Sequence, residues 1–363
     1  MNVLLITKTR TEIVKANKPQ NLQDYMRHDG FFRGWQHAFT ENGDKVYFFT
    51  HSSFFLPANF AYRFLTIYRG LRFLFKKIGL FHLDNYFLNW KIARIVKRYG
   101  VTMILTETND FLSPASIKRR IKMSCVFLQW FGVYPEMVGR YVKRFFREYD
   151  HILVPCDLGG ELDSIVAPHK IIFTPVAYSE RVYYHDFNSQ YAYDVVFVGN
   201  IGSAHSNRGM LLERIAEEFD HFAFFGGGEE TLPRDSILRK KHKGYTSPEA
   251  IRQIYSSAKI AINLTLNDYH RVKRGINERA VAVPACRGAL QIMVRVEGVH
   301  AFFNEGEDIV CFNCVDELIE AIRFYLANES ERKKIVKNAY VKNLANTYSC
   351  RLQHLQKQVR EMS

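Results

Sequence analysis

Short apolar stretches with strand character alternate with helical patterns along almost the whole chain, and this alternation limits the possible folds more than any other feature. It stops once, at residues 176–192, where polar and aromatic residues follow no clear period, and then it resumes. Strands that pair in parallel need a crossover connection between them, which is usually a helix. We therefore predict an α/β protein with a doubly wound parallel sheet on either side of the break.

The predicted elements follow the hydrophobic pattern and the positions of glycine and proline. We expect strands at 3–7, 45–50, 102–106, 124–130, 151–155, 171–175, 194–198, 221–225, 259–264 and 291–294. We expect helices at 31–42, 60–78, 84–98, 135–149, 207–218, 248–256, 279–286 and 315–326, and a helical tail from Ser330. A loop is expected between the strands at 102–106 and 124–130. A chain of 363 residues is long enough for two domains, each with its own core.

The composition is that of a globular protein, with 47% hydrophobic residues. The six cysteines are scattered, and only Cys311 and Cys314 lie close in sequence, so we expect reduced thiols and no bound metal. The apolar stretch at the start of the chain is too short for a signal peptide, and too little positive charge precedes it. No apolar run approaches the length that spans a bilayer. We therefore expect a cytoplasmic protein, either soluble or peripheral at the inner face of the cell membrane.

The positive charge is concentrated in the first half of the chain. Residues 1–180 contain 25 Lys and Arg against 15 Asp and Glu, a net charge of +10, whereas residues 181–363 have a net charge of +3. Such a balance favours an anionic partner, which is a membrane, a nucleic acid or a charged acceptor.

The stretch from 59 to 87 interleaves cations with bulky aromatic residues. The cations are Arg63, Arg69, Arg72, Lys76 and Lys77, and the aromatic residues include Phe60, Tyr62, Phe64, Tyr68, Phe73, Phe75 and Phe81. This pattern is typical of a segment that docks on an anionic membrane, and a half-buried core helix is the alternative. No known nucleic-acid module is recognisable, so we expect no nucleic acid partner.

The most informative motif runs from Asn277 to Leu290 and reads N-E-R-A-V-A-V-P-A-C-R-G-A-L. It is followed by F-N-E-G-E-D at 303–308, D-E-L at 316–318, an amphipathic helical pattern and N-E-S-E-R at 328–332. This order resembles the C-terminal half of GT-B glycosyltransferases, specifically the group similar to the spore-maturation glycosyltransferase-like proteins. That group shows roughly R-x-F-E-x-P-A-C-G and then F-x-x-G-x-E. The resemblance extends from Asp194 to Arg351.

The resemblance implies the GT-B fold, in which two Rossmann-like domains enclose a cleft. It implies an acceptor-side domain at 1–180, a nucleotide-sugar-binding domain at 181–340, and a last helix at 341–363 that packs back on the first domain. It also implies a glycosyltransferase that uses a nucleotide sugar as co-substrate, without a cofactor and without a metal ion.

Three groups of residues are candidates for holding the donor diphosphate. The turn V-G-N-I-G after the strand at 194–198 contains Gly199, Asn200 and Gly202, and glycines let backbone N–H groups approach phosphates. Arg208 follows as a candidate phosphate clamp, because a guanidinium group binds phosphate in a bidentate manner. The resemblance adds Arg274, Asn277 and Arg279. For the glycine-rich turn the alternative is an ordinary strand-to-helix turn, and for the segment around Arg274 it is a solvated basic loop.

Two further positions are candidates for the rest of the donor. The resemblance places a nucleobase loop at 243–246, where Tyr245 is predicted to stack on the base, although a helix cap at Thr246 or Ser247 explains this loop equally well. The resemblance also implies that Glu307 or Asp308, in the E-G-E-D turn, binds sugar hydroxyls, and a solvated acidic turn is the alternative.

This sequence departs from the family pattern at the position expected to hold the donor ribose. Ala282 stands where the family has Glu, and an alanine side chain accepts no hydrogen bond. Glu278 lies one helical turn earlier and is predicted to take its place. Arg287 also separates Cys286 from Gly288.

The catalytic base is predicted to lie in the first half, after the end of a strand. The family often shows W-x-x-D-x-P, but here Val133 replaces the acid. The candidates are His28 and Asp29 before the helix at 31–42, for which a surface cap is the alternative, and Glu107 and Asp110 after a strand end. The sequence thus predicts transfer of a sugar to a hydroxyl of a glycan or lipid-linked glycan. A GT-B-shaped binding protein without turnover is the main alternative, and a nucleotide-sugar epimerase a weaker one.

Overall fold

A computed structural model of the protein describes residues 1–8, 30–51, 81–107, 112–130, 146–156, 160, 162–163, 165–202, 206–265 and 275–361. The chain divides into two compact units, Met1–Pro175 together with Leu352–Ser363, and Val176–Arg351. The predicted helix at 60–78 and most of the one at 135–149 lie outside the described residues.

The first unit contains a parallel sheet of six strands in the order β2-β1-β3-β4-β5-β6. Its strands are β1 (Asn2–Lys8), β2 (Lys45–His51), β3 (Met103–Glu107), β4 (Val126–Trp130), β5 (His151–Val154) and β6 (Ile171–Phe173). The α-helices of its described residues before Pro175 are α1 (Gly30–Glu41), α2 (Phe81–Tyr99) and α3 (Pro114–Ile121).

The second unit contains a parallel sheet of five strands in the order β11-β10-β9-β7-β8. Its strands are β7 (Val195–Val198), β8 (Phe222–Phe225), β9 (Ile260–Asn263), β10 (Leu290–Val294) and β11 (Val310–Phe312). The helices from here onward are α4 (Ser206–Glu218), α5 (Ile237–Lys240), α6 (Pro248–Ser257), α7 (Arg279–Cys286), α8 (Val315–Ala327), α9 (Glu329–Asn343) and α10 (Tyr348–Glu361). From Leu352 onward α10 belongs to the first unit.

Strand β7 shows why an uninterrupted apolar run forms a central strand here. Val195 and Phe197 lie in one hydrophobic cluster with residues of α4 and α8, whereas Val196 and Val198 lie in another with residues of α6 and α7. Both faces of the sheet are thus covered by helices, and a strand buried on both faces needs apolar side chains at every position. The predicted parallel α/β architecture is confirmed.

The prediction of a loop between β3 and β4 is wrong, because this connection contains helix α3. Ser113 caps this helix by accepting a hydrogen bond from Ser116 N–H at 3.2 Å, and Pro114 occupies the first helical turn. Ile117 and Ile121, four residues apart, are buried against the sheet. The Ser-Pro start is a recognised helix signal, but eight residues are too few for a clear helical period.

Both sheets reverse their strand order beside their first strand. In the first unit β1 lies between β2 and β3, and in the second unit β7 lies between β8 and β9. In open α/β sheets, ligands bind outside the carboxyl ends of the strands at such a switch point. We therefore expect a ligand of the second unit to bind at the loops that follow β7 and β9.

Candidate functional site

A glycine-rich turn follows β7, and a second glycine turn from the end of β8 lies directly against it. At Gly226, with φ of +136°, a Cβ atom would come within 1.9 Å of the carbonyl oxygen of Gly199. At Gly228, with φ of +95°, a Cβ atom would come within 2.2 Å of the Gly202 nitrogen. Only glycine permits both the positive φ and this close approach of two backbones.

Three backbone N–H groups of the β7 turn, those of Gly199, Ile201 and Gly202, are hydrogen-bonded within the protein. Those of Gly199 and Ile201 each donate at 2.9 Å to carbonyl oxygens of the β8 turn. The N–H of Gly202 donates to Oδ1 of Asn200 at 2.6 Å, which gives the turn an Asx-like closure. These bonds fix the conformation of the turn. Diphosphate binding at Gly199, Asn200 and Gly202 stays a prediction.

Arg279, in the first turn of α7, bridges the ends of the two strands at the switch point. Its Nη1 donates to the carbonyl oxygen of Val198 at 2.7 Å, and its Nη2 donates to that of Leu264 at 2.7 Å. The guanidinium carbon lies 5.6 Å from the centre of the Phe197 ring, which is within cation–π range. A planar fork with two donors suits this bridge, and lysine offers only a single point of attachment.

Arg208, in the first turn of α4, forms a second bridge beside the first. Its Nη1 donates to the carbonyl oxygen of Asn200 at 2.8 Å, and its Nη2 and Nε donate to that of Thr265 at 2.6 and 3.1 Å. The residue is only 5% exposed, so these bonds offset the cost of burying the charge. The structure gives Arg208 a role in holding the two loops, and direct contact with phosphate stays a prediction.

The two bridges place two guanidinium groups at the carboxyl ends of β7 and β9. Hydrogen bonds to charged groups contribute about 1.5–3 kcal/mol each, so the bridges hold the loops firmly. The partners in these bonds are neutral carbonyl oxygens. Positive charge held at the switch point of the sheet favours an anionic ligand there.

Asn277 precedes α7 and pairs with an asparagine that the sequence analysis did not single out. Its Nδ2 donates to Oδ1 of Asn263 at 2.8 Å, and its Oδ1 accepts from Nδ2 of Asn263 at 3.0 Å. Oδ1 of Asn277 also accepts from the N–H of Ala280 at 3.3 Å and so caps the helix. Asn263 is the last residue of β9. A polar residue at the end of an apolar strand was the one signal in the sequence that could have indicated its role.

Glu278 and Ala282 occupy different environments on α7. Glu278, the residue before Arg279, is half-buried, and its side chain makes no capping hydrogen bond. Ala282 is 2% exposed, so a carboxylate at that position would be buried in the unit. The replacement of the missing family Glu by Glu278 stays a prediction.

Tyr245 lies on the surface beside the second glycine turn. Its side chain is 76% exposed, and a Cβ atom at Gly227 would come within 2.8 Å of its ring. The helix cap that was the alternative for this loop is present, because Oγ of Ser247 accepts from Ala250 N–H at 3.2 Å. Because Ser247, two positions after Tyr245, forms the cap, the exposed ring of Tyr245 remains available for the predicted stacking.

His242 also supports the second glycine turn, and nothing in the sequence pattern indicated it. Its Nε2 lies 2.7 Å from the carbonyl oxygen of Gly226. Its ring lies 4.8 Å from the ring of Phe224. The histidine therefore links the turn to β8.

The acidic turn at 305–308 connects β10 and β11, and β10 lies two strands from β7. Asp308 is buried, accepts from the N–H of Asn304 at 2.9 Å and forms an ion pair with Lys342 at 3.0 Å. Glu305 is paired with Arg295, and this pairing lowers the pKa of the Glu305 carboxyl group. Glu307 is exposed and accepts from Nδ2 of Asn304 at 3.1 Å.

The predicted residues therefore fall into two groups. The structure brings Gly199, Asn200, Gly202, Arg208, Asn277, Glu278, Arg279 and Tyr245 to the ends of β7 and β9 and the adjoining β8 turn. Glu307 and Asp308 lie on a different connection of the same sheet.

The remaining candidates are mostly outside the described residues. Arg274, His28, Asp29 and Asp110 all fall there, and so does Val133. Glu107 is described as the last, half-buried residue of β3, in register with Trp130 of β4. It lies at the carboxyl end of a strand that flanks the switch point of the first sheet, where a ligand-facing residue is expected.

Residues 207–357 match a protein family described as glycosyl transferase-like. Solved structures similar to the whole chain include a sucrose-phosphate synthase from Thermosynechococcus elongatus, with a TM-score of 0.64 and 12% identity over 100% of both chains. A glycosyltransferase from Rickettsia africae has a TM-score of 0.62 and 13% identity, over 99% of this chain and 98% of that one. Anabaena HepE in complex with UDP-glucose has a TM-score of 0.61 and 10% identity, over 99% and 100%. No curated protein sequence matches the chain.

These similarities identify the fold as that of the GT-B glycosyltransferases, with two Rossmann-like domains, and confirm the predicted fold class. The match at 207–357 lies almost entirely in the second unit, where the motif resemblance was found. The resemblance to GT-B glycosyltransferases is therefore confirmed, and the narrower resemblance to the spore-maturation group stays a prediction.

Proposed function

We propose that this protein is a glycosyltransferase that binds a nucleotide-sugar donor at the carboxyl ends of β7 and β9. The observation that carries the proposal is the pair of arginine bridges, because Arg208 and Arg279 hold positive charge at the switch point of the sheet. A diphosphate bound there has cations within reach, and the exposed ring of Tyr245 lies on the adjoining turn for a nucleobase.

The proposed reaction transfers a sugar to a hydroxyl group of a glycan or a lipid-linked glycan. The bond between the anomeric carbon and the diphosphate oxygen breaks, and its electron pair stays on the diphosphate. The acceptor oxygen forms the new bond to the anomeric carbon, and a base takes the hydroxyl proton. Positive charge near the leaving diphosphate stabilises the negative charge that develops on it. The candidates for the base are His28, Asp29, Glu107 and Asp110.

The partners are a nucleotide sugar, the acceptor glycan and an anionic membrane surface that presents a lipid-linked acceptor. We place the protein at the inner face of the cell membrane, where its basic first half faces the lipid. Anabaena HepE, which shares the fold, binds UDP and UDP-glucose, and this supports a nucleotide-sugar ligand for the second unit.

The first test is a thermal-shift screen with UDP, GDP, CMP, dTDP and their sugars. A ligand that binds only the folded protein raises the melting temperature, so at least one nucleotide or nucleotide sugar should raise it. If no compound of the screen does, the proposal is wrong.

The second test uses Arg279→Lys and a matched control, Arg323→Lys. Arg279→Lys loses one of two charged hydrogen bonds, so donor affinity by calorimetry should fall about tenfold or more. Arg323 pairs with Glu218 on the surface of the same unit, and its lysine variant should bind like the wild type. Arg274→Ala tests the predicted phosphate contact of Arg274 separately. Donor affinities equal to the control in both variants would exclude these cations from the site.

A nucleotide-sugar-binding protein without turnover is the second candidate, and the buried Ala282 favours it. The two functions differ in whether the donor is consumed. Slow release of free sugar from a nucleotide sugar would exclude the non-catalytic function, whereas tight binding without release or transfer would support it.

A further inference from the structure

Helix α2 has one buried face and one face that combines aromatic rings with cations. Ile92, Ala93 and Val96 are buried in the core of the first unit. On the surface, Tyr86 and Trp90 are 52% and 40% exposed, and they lie one helical turn apart.

Three arginine side chains lie over exposed aromatic rings on this part of the unit. The guanidinium carbon of Arg94 lies 4.7 Å from the Trp90 ring centre, and that of Arg98 lies 5.5 Å from the Tyr99 ring centre. Arg120, from the last turn of α3, lies 4.7 Å from the Tyr86 ring centre. We call the surface formed by Tyr86, Trp90, Arg94, Arg98 and Arg120 the cation–aromatic face.

Positive charge predominates in this region, although Glu148 accepts hydrogen bonds from Ser113 and from the N–H of Ala115 at the start of α3. Residues 88–99 of α2 and residues 114–122, which comprise α3 and its cap, contain eight Lys and Arg and no Asp or Glu. One of the eight, Lys118, forms an ion pair with Asp150. The nearest acid along α2 is Asp84, before the aromatic pair. The region is therefore complementary to a surface with many negative charges.

We propose that the cation–aromatic face docks the protein on an anionic lipid bilayer. Tyrosine and tryptophan rings lie favourably at the boundary between headgroups and acyl chains, and arginine side chains beside them reach lipid phosphates. A soluble polyanion explains the cations but gives no reason for aromatic rings that stay exposed beneath them. No helix among the described residues is both long and apolar enough to cross a membrane.

The proposal goes beyond the membrane segment predicted at 59–87, because it rests on described contacts of α2 and α3. It depends on the proposed function only for its purpose, which is to bring a lipid-linked acceptor to the enzyme. Vesicle binding requires no sugar transfer, so binding and transfer are measured separately. Binding without transfer would refute the proposed function alone, and transfer without binding would refute the docking face alone.

The test is vesicle binding of the full chain, read by the fluorescence of Trp90. The protein has three tryptophans, of which Trp35 and Trp130 are buried, so a change on docking reports on Trp90. We expect co-sedimentation with vesicles of equimolar phosphatidylglycerol and phosphatidylcholine at about 0.01 M salt. We expect loss of binding near 1 M, where the Debye length is about 3 Å. Emission should shift to the blue, and phosphatidylglycerol with brominated acyl chains should quench it.

The matched variants are Arg94→Glu with Arg98→Glu on the face, and Lys334→Glu with Lys337→Glu on α9 of the other unit. Both pairs change the net charge equally and concern exposed side chains. We expect the first pair to weaken vesicle binding at least tenfold and the second to leave it unchanged. An equal loss in both pairs would show that only net charge matters and would overturn the proposal. So would absence of binding by the wild type, or binding to dextran sulfate but not to vesicles.

Discussion

His151 is the first residue of β5 and is buried, and it pairs with Leu128 of β4. Among the described residues no group hydrogen-bonds to its buried Nδ1 atom. Burial lowers the pKa of the imidazole below its ordinary value, and Lys170, His169 and Lys118 lower it further, while Asp150 opposes them. The folded first unit therefore favours the neutral form of this side chain.

We predict that the first unit loses stability as the pH falls through this histidine's titration. The unfolded side chain binds its proton near pH 6.5, and the folded one binds it only at lower pH. Between these values the unfolded state holds more protons, so the free energy of unfolding is fully maintained above about pH 6.5 and decreases below it. Urea unfolding between pH 7.5 and 5 should show a smaller decrease for His151→Phe than for the wild type. Equal pH slopes would show that His151 is not the group responsible.

At the scale of elements, the connection from α7 to β10 depends on close backbone contact. Arg287 takes the left-handed conformation that ends α7, with φ of 58°, and its guanidinium carbon lies 4.5 Å from the Tyr340 ring centre. The next residue, Gly288, then passes the last turn of α6. A Cβ atom there would lie 2.2 Å from the carbonyl oxygen of Ser256. The arginine that interrupts the family pattern thus occupies the helix cap, while the glycine provides the close approach.

We predict that Gly288→Ala destabilises the second unit more than Gly306→Ala. At Gly288 the new methyl group meets backbone that must move, a cost of about 3 kcal/mol at the upper end of overpacking effects. At Gly306, with φ of +83° and no atom within 4 Å of the added Cβ, only conformational strain remains, about 1 kcal/mol. Urea unfolding monitored by circular dichroism measures both. A larger effect at Gly306 would contradict this assignment.

Most elements could be predicted from the sequence, because strands buried on both faces and helices with one buried face leave clear periodic patterns. All the predicted strands are present within a few residues of their expected bounds. Helices α3 and α5 and strand β11 were missed, because eight, four and three residues are too short to show a period. Their formation depends on packing against elements that are distant in sequence.

At the scale of the whole molecule, the first unit contains the candidate base Glu107 at the end of β3, and the second unit contains the candidate donor site at the ends of β7 and β9. We predict that sugar transfer persists in EDTA, because at the proposed donor site Arg208, Arg279 and helix N-termini would stabilise the negative charge of the leaving diphosphate. Among the residues that the structure describes, no three His, Cys, Asp or Glu side chains are grouped to hold a metal ion. EDTA already saturated with Mg²⁺ is the control. Loss of turnover in EDTA that Mg²⁺ or Mn²⁺ restores would refute metal independence.

The sequence by itself determined the α/β class, the break between two similar halves and the segment around Asn277 that resembles glycosyltransferases. These properties follow from local periodicity and from residues close together in the chain. The roles of particular side chains were decided only by the tertiary structure. Arg208 and Arg279 are 71 positions apart, yet they bridge the same two loops, because parallel strands bring their carboxyl ends to one edge of the sheet. Hydrogen bonds to backbone carbonyl groups are available to any arginine, so only the folded chain shows which carbonyl groups lie within reach.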